Sequence, residues 1–226
     1  MGSHTMSKRL NKLLAAGSAL GLAGVVAFAA PSQAAPIQRT SLQFNHSVER
    51  PHNIAVRGGA RAPIGWIEFC VNYKPQCNVR PLTPRDIVLS QRAWSDLNKI
   101  NLWVNQTIKP MTDLKHWGVI ERWNYPDDGY GDCEDYVLLK RRMLMEAGWP
   151  RQALLITVVR DQKGDGHAVL TVETTRGEFV LDNEVNQILP WDRTGYRFVK
   201  RQSQSDPNKW VALGSPHLSP PTVSAR

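Results

Sequence analysis

Cysteine is scarce in this chain: there are three in 226 residues, so disulfides cannot be the framework of the fold. No segment reads as an arginine-rich helix or a basic-aromatic ladder, which argues against a nucleic-acid binder. Internal repeats are absent. No acidic stretch has the spacing of an EF-hand loop. The one long apolar run, Leu13 to Ala30, sits at the lower edge of the length needed to span a bilayer.

That run has the pattern of an export signal. Lys8, Arg9 and Lys12 form a basic start, and Ser32-Gln33-Ala34 fits the small-x-small cleavage rule. Residues 1–34 are therefore expected to be a secretory signal peptide; a retained membrane anchor is the alternative. Losing the three cations lowers the formal net charge from +8 to +5, a modest excess that suits solubility and an anionic cell envelope. The expected location is periplasmic or secreted. The remaining length suits one domain with a real core, and nothing requires more than a monomer.

Export gives the cysteines meaning. Cys70 and Cys77 lie seven apart across a proline-bearing loop and are expected to pair. Cys133 is then the odd one out, an unpaired thiol in an oxidising compartment. It sits in Gly131-Asp132-Cys133-Glu134-Asp135-Tyr136, just before the apolar run Val137 to Ala147 that stops at Gly148-Trp149-Pro150. Asp132 reads as an N-cap and Cys133 as about the first helical residue, where free backbone N–H groups lower a thiol pKa. A buried structural cysteine fits poorly among three acids.

Residues 35–62 are expected to form an extended or mobile lead-in, 63–80 a disulfide-bearing loop, and 214–226 a disordered tail. Helical spacing from Ile87 to Ile108, with Thr83-Pro84 as its start signal, predicts a helix ended by Pro110. Trp117, Trp123 and Tyr125 read as core residues, with a cleft wall as the alternative. After Pro150 the period becomes extended: 153–160, 167–173 and 178–182 read as strands, with further ones at 193–200 and 209–213. Helices first and an antiparallel sheet second predict an α+β fold.

Centring the second hairpin on Thr175-Arg176 pairs residues whose numbers sum to 351, so Glu173 faces Glu178. His167 and Asp182 then become diagonal neighbours on one face, while Ala168, Leu170, Val172, Phe179 and Leu181 share the core face. A cysteine at a helix start with a His and an Asp adjacent on a sheet is the layout of covalent acyl chemistry. Cys133 is the candidate nucleophile, His167 the base, and Asp182 the group that orients the imidazole. Taken alone, His167 reads as a surface turn residue and Asp182 as the end of a strand; together with the spare cysteine they point to catalysis.

These residues resemble the bacterial transglutaminase-like cysteine peptidases. The likeness rests on Trp123-x-Tyr-Pro, Gly131-Asp-Cys-Glu-Asp-Tyr136, Lys140, Gly148, His167-Ala-Val-Leu170 and Val180-Leu-Asp-Asn183, within residues 63–213. It implies a papain/transglutaminase-like fold and a Cys133–His167–Asp182 triad. Its LapG-type periplasmic members clip large surface adhesins and release cells from biofilms, under a membrane receptor that senses a cyclic dinucleotide. The resemblance thus implies an envelope-protein substrate and such a receptor as partner. It also implies calcium, with Asp132 and Glu134 as ligands. The sequence independently crowds Asp127, Asp128, Asp132, Glu134 and Asp135 into nine residues. Uncompensated, they would raise the cysteine pKa, and a bound hard cation would offset that, with capping and arginine pairing as the alternative. The disulfide loop and the lead-in are not features associated with the adhesin-clipping members. Transamidation by the same thioester, or a non-catalytic calcium- or partner-binding module, are the competing functions.

Overall fold

The computed structural model describes residues 53–214; the expected signal peptide, most of the lead-in and the tail beyond Gly214 lie outside them. In chain order the elements are β1 (Ala55–Ala60), α1 (Ile64–Asn72), α2 (Lys74–Cys77), α3 (Gln91–Thr107), β2 (Lys109–Pro110), α4 (Asp113–Trp117), β3 (Tyr130–Gly131), α5 (Cys133–Glu146), β4 (Leu154–Arg160), β5 (Gly166–Thr174), β6 (Gly177–Leu181), β7 (Leu189–Pro190), β8 (Arg197–Gln202) and β9 (Trp210–Gly214). The helices do precede the main sheet, with β1 as the exception. That sheet has seven strands in the order β1-β9-β8-β4-β5-β6-β7, all antiparallel; β2 and β3 form a separate parallel pair.

The β5–β6 register follows the pairing read from the hairpin, from Leu170↔Leu181 through Glu173↔Glu178 to Thr174↔Gly177. The expected core face is there: Ala168, Leu170, Val172 and Leu181 are buried with Leu97, Trp66, Phe69, Val137 and Leu138, and Phe179 packs alongside. The opposite face is covered too. Val159, Val169, Val180, Trp191, Phe198 and Leu213 form a second cluster, so the sheet is buried on both sides.

Three local expectations change. The disulfide Cys70–Cys77 forms, with Cα atoms 5.5 Å apart, but it joins two helices rather than closing a loop. Trp66 and Phe69 turn inward from α1, and Gly65 lets that helix close on Trp123: a Cβ there would meet the indole Cδ1 at 2.2 Å. The long helix begins at Gln91, not Pro84. Its cap is Ser90, whose hydroxyl accepts from the Ala93 N–H at 3.1 Å. Ile87, counted in the helical period, instead exchanges backbone hydrogen bonds with Glu173 and Thr175 beside the β5–β6 hairpin. Finally, part of the lead-in is extended but paired: β1 is the edge strand against β9.

Trp123 and Tyr125 are core residues, whereas Trp117 is partly exposed. Helix α5 is buried on nearly every side from Glu134 to Arg141, as suits a helix enclosed between a sheet and other elements. It lies against β5, sharing Val137 and Leu138 with the core face. That contact brings the start of α5 to the sheet.

Candidate active site

Helix α5 begins at Cys133, as the sequence predicts, with Asp132 in extended backbone at the cap position. The carboxylate of Asp132 does not cap, however. One oxygen accepts from the Asp113 N–H at 3.3 Å, and the other has no partner. Gly131 allows the tight approach before it: a Cβ there would stand 2.7 Å from that of Asp135.

The Cys133 thiol is half-buried and donates to Glu134 Oε2 at 3.1 Å. The backbone N–H of Ala168 also points at the sulfur. Ala168 lies beyond the β5–β6 ladder, which stops at Leu170↔Leu181, so the thiol sits at a gap where β5 has lost its neighbour. The residue before Ala168 is His167. Beside these uncompensated acids the thiol pKa rises, as the crowded carboxylates predict, and the helix start does not lower it. Burial pushes it well above its ordinary value, the Glu134 and Asp132 carboxylates add to the rise, and the Ala168 N–H opposes it. The helix start alone does not outweigh a neighbouring carboxylate in a desolvated place.

His167 and Asp182 meet as the register requires. His167 Nε2 lies 2.9 Å from Asp182 Oδ1, both side chains being buried. With Nε2 engaged, Nδ1 is the ring nitrogen left for a thiol proton. Asp182 is densely held. The Glu184 N–H donates to Oδ1 at 3.0 Å and the Tyr196 hydroxyl to Oδ2 at 2.5 Å. Burial pushes this carboxyl up, but the hydrogen bonds from His167 and Tyr196 and the imidazole charge outweigh it and hold the pKa below the usual value. The Asp182 carbonyl accepts from Lys140 Nζ at 2.9 Å and Asn105 Nδ2 at 2.8 Å. Lys140 is fully buried, and desolvation lowers its pKa to about 7 despite Asp182.

The acids divide. Asp127 pairs with Arg142 at 3.2 Å, following the arginine-pairing alternative, while Asp128 is held by His116 at 2.8 Å. Asp132 and Glu134 instead converge with Asp113, one oxygen of each lying within 4.8 Å of the others. Sequence reading missed Asp113. It stands nineteen residues before Asp132, and only the β2–β3 pairing brings α4 beside the cysteine loop. Burial, then Asp132, raises Asp113 to about 6 and Glu134 to about 9; Asp135, which accepts from the Asn124 N–H at 2.9 Å, is raised by burial to about 8. Among the described residues no cation pairs with Asp113, Asp132 or Glu134. Carboxylate oxygens close together, one of them unpartnered, and none in an ion pair with a basic side chain, fit a hard cation.

A half-buried cysteine at a helix start, packed at the strand that carries a His–Asp pair, is an acyl-transfer layout, and the family comparison agrees with it. The family profile described as bacterial transglutaminase-like cysteine proteinase BTLCP matches residues 56–217. The chain belongs to that family. Its helices and antiparallel sheet are thus a transglutaminase-like fold, and the family's chemistry is cysteine proteolysis. Among solved structures, calcium-bound LapG of Legionella pneumophila is similar at 27% identity and TM-score 0.46, over 57% of this chain and 75% of that one. EGTA-treated LapG of the same organism gives 26% and 0.45, over 54% and 72%. No curated protein matches the chain.

Proposed function

We propose that this protein is an exported cysteine endopeptidase in which Cys133, His167 and Asp182 act as nucleophile, base and orienting acid. The supporting observation is the 2.9 Å His167–Asp182 contact, on the strand whose next N–H meets the Cys133 sulfur. Nδ1 of His167 takes the thiol proton, and the sulfur attacks the scissile carbonyl carbon. The resulting oxyanion accepts from the Cys133 backbone N–H. The imidazolium then gives its proton to the leaving amine, leaving a thioester on Cys133. Water gives a proton to His167 as its oxygen adds to the thioester carbon. The C–S bond then breaks, the acyl group leaves as the carboxylic acid, and the imidazolium returns the proton to the sulfur. Asp182, held by Tyr196 and Glu184, keeps the ring oriented and stabilises its charged form.

Asp113, Asp132 and Glu134 are the residues that would hold calcium. Bound there, the ion supplies positive charge that offsets the carboxylates now raising the thiol pKa. The substrate class is a protein of the cell envelope or surface such as an adhesin, acted on in the periplasm or outside the cell. The regulator to seek is a membrane receptor. Both follow from the family resemblance and the export-type segment ending at Ala34.

Product analysis tests the reaction. The purified chain is incubated with envelope protein and an amine donor, and termini and adducts are read by mass spectrometry. New N-termini that vanish in Cys133→Ala support proteolysis. Amine-labelled glutamine without new termini would replace it with transamidation.

A further inference from the structure

An open cavity of about 370 Å³ lies where β1, β9, β8 and β4 come together, and three arginines line it: Arg57, Arg160 and Arg197. Among the described residues no acidic side chain lines it, and none of the three arginines forms an ion pair. The strand register places Arg160 directly opposite Arg197 on the neighbouring strand, a pairing that costs stability for like charges. Arg57 joins them from a bulge: β1 and β9 slip register between Val56 and Gly58, leaving Arg57 without a strand partner. A second irregularity, between Val158 and Val159, leaves Val199 unpaired in the same wall. Bulges of this kind re-aim side chains. The guanidinium of Arg57 lies over Gly214, where a Cβ would come within 2.2 Å of Nε. Arg160 is steadied by donating to the Gly164 carbonyl at 2.7 Å, which leaves its other donors free.

Three exposed guanidinia gathered without a counter-charge make up a receptor for an anion. Each offers a planar fork matched to phosphate or carboxylate, and three forks suit a group with two charges and several acceptor oxygens better than a single carboxylate. The cavity is in the range of small-ligand sites, and Leu213 and Val199 give it an apolar wall. We propose that this pocket binds a phosphoryl dianion carried on a small organic body, a phosphate ester or the phosphate of a lipid headgroup. This site is independent of the cysteine chemistry and stands or falls apart from it.

Titration calorimetry with glycerol phosphate and sedimentation with phosphatidylglycerol vesicles test it on the whole chain. Wild type is expected to bind saturably, with at least a tenfold loss in the double variant Arg160→Gln/Arg197→Gln. The same charge removed elsewhere, in Arg85→Gln/Arg92→Gln, is expected to leave binding unchanged. The pocket variant is also expected to melt no lower than wild type, because a like-charge pair is relieved. Gly214→Ala, which displaces the Arg57 head, is expected to weaken binding as well. Binding of the soluble ester assigns the site to a free phosphate compound, and binding of vesicles alone assigns it to a lipid headgroup. No saturable binding of either probe, equal losses in both double variants, or equal affinity for a peptide bearing only carboxylates would overturn the proposal.

Discussion

A single buried carboxylate on the sheet and a cluster of carboxylates at the start of α5 behave in opposite ways. At the sheet corner, Asp182 accepts from His167, Tyr196 and the Glu184 N–H, and its pKa is held down despite burial. At the helix start, Asp113 and Glu134 are as deeply buried, yet desolvation and Asp132 push them up to about 6 and 9. Burial is common to both. What differs is the supply of donors: the sheet brings three to one carboxylate, and the loop brings three carboxylates together with few. The first region is electrostatically complete within the chain; in the second, among the described residues, no cation pairs with the three carboxylates.

The largest effects come from breaking the complete region. His167→Ala is expected to reduce proteolysis by roughly 10²–10⁴-fold, and Asp182→Asn by a loss in the same range, read as kcat/KM on a cleaved substrate. Both variants are expected to keep the melting response to calcium, since the acid cluster is untouched.

Next comes the sign of the pH dependence. In chelator, Asp113, Glu134 and Asp135 hold their protons to higher pH in the folded chain than in the unfolded one. The folded state then binds more protons, so stability is expected to fall as pH rises from the ordinary carboxylate range to about 9. Asp182 has the opposite sign: its contribution is full above the ordinary carboxylate pKa and is lost as pH falls through its lowered one. Thermal melts across pH, with and without calcium, check both. Calcium is expected to flatten the alkaline decline, and Asp113→Asn to abolish that flattening.

A smaller effect sharpens the comparison. Tyr196→Phe removes one donor from Asp182 and is expected to cost about 1.5–3 kcal/mol, seen as a Tm several degrees lower with a fall in kcat. The smallest concerns two helix starts. Ser90→Ala removes a real cap and is expected to cost about 1 kcal/mol, whereas Asp132→Ala loses no cap bond and, in chelator, is expected to melt no lower.

Legibility in the sequence followed the same division. The His167–Asp182 contact was legible because a hairpin with a short turn fixes its own register, and parity then places every side chain. The start of α5 was legible from a local run of residues. Asp113 and Tyr196 were not: each reaches the site through the packing of elements far apart in the chain. The rise of the thiol pKa beside uncompensated acids was legible, but its largest cause was not, since the helix position and the acids are visible in sequence and the degree of burial beside Glu134 is not. The helical period from Ile87 misled because the residues before Ser90 are held in extended form by contacts with the β5–β6 hairpin, which override local propensity.

The most direct test of the central claim is the rate of Cys133 alkylation against pH, with calcium and with chelator, in wild type and His167→Ala. A thiol that reacts near neutral pH in calcium, slows in chelator and slows again without the imidazole is the predicted result. A thiol that stays inert in the folded protein under every condition, and reacts only once unfolded, would contradict it.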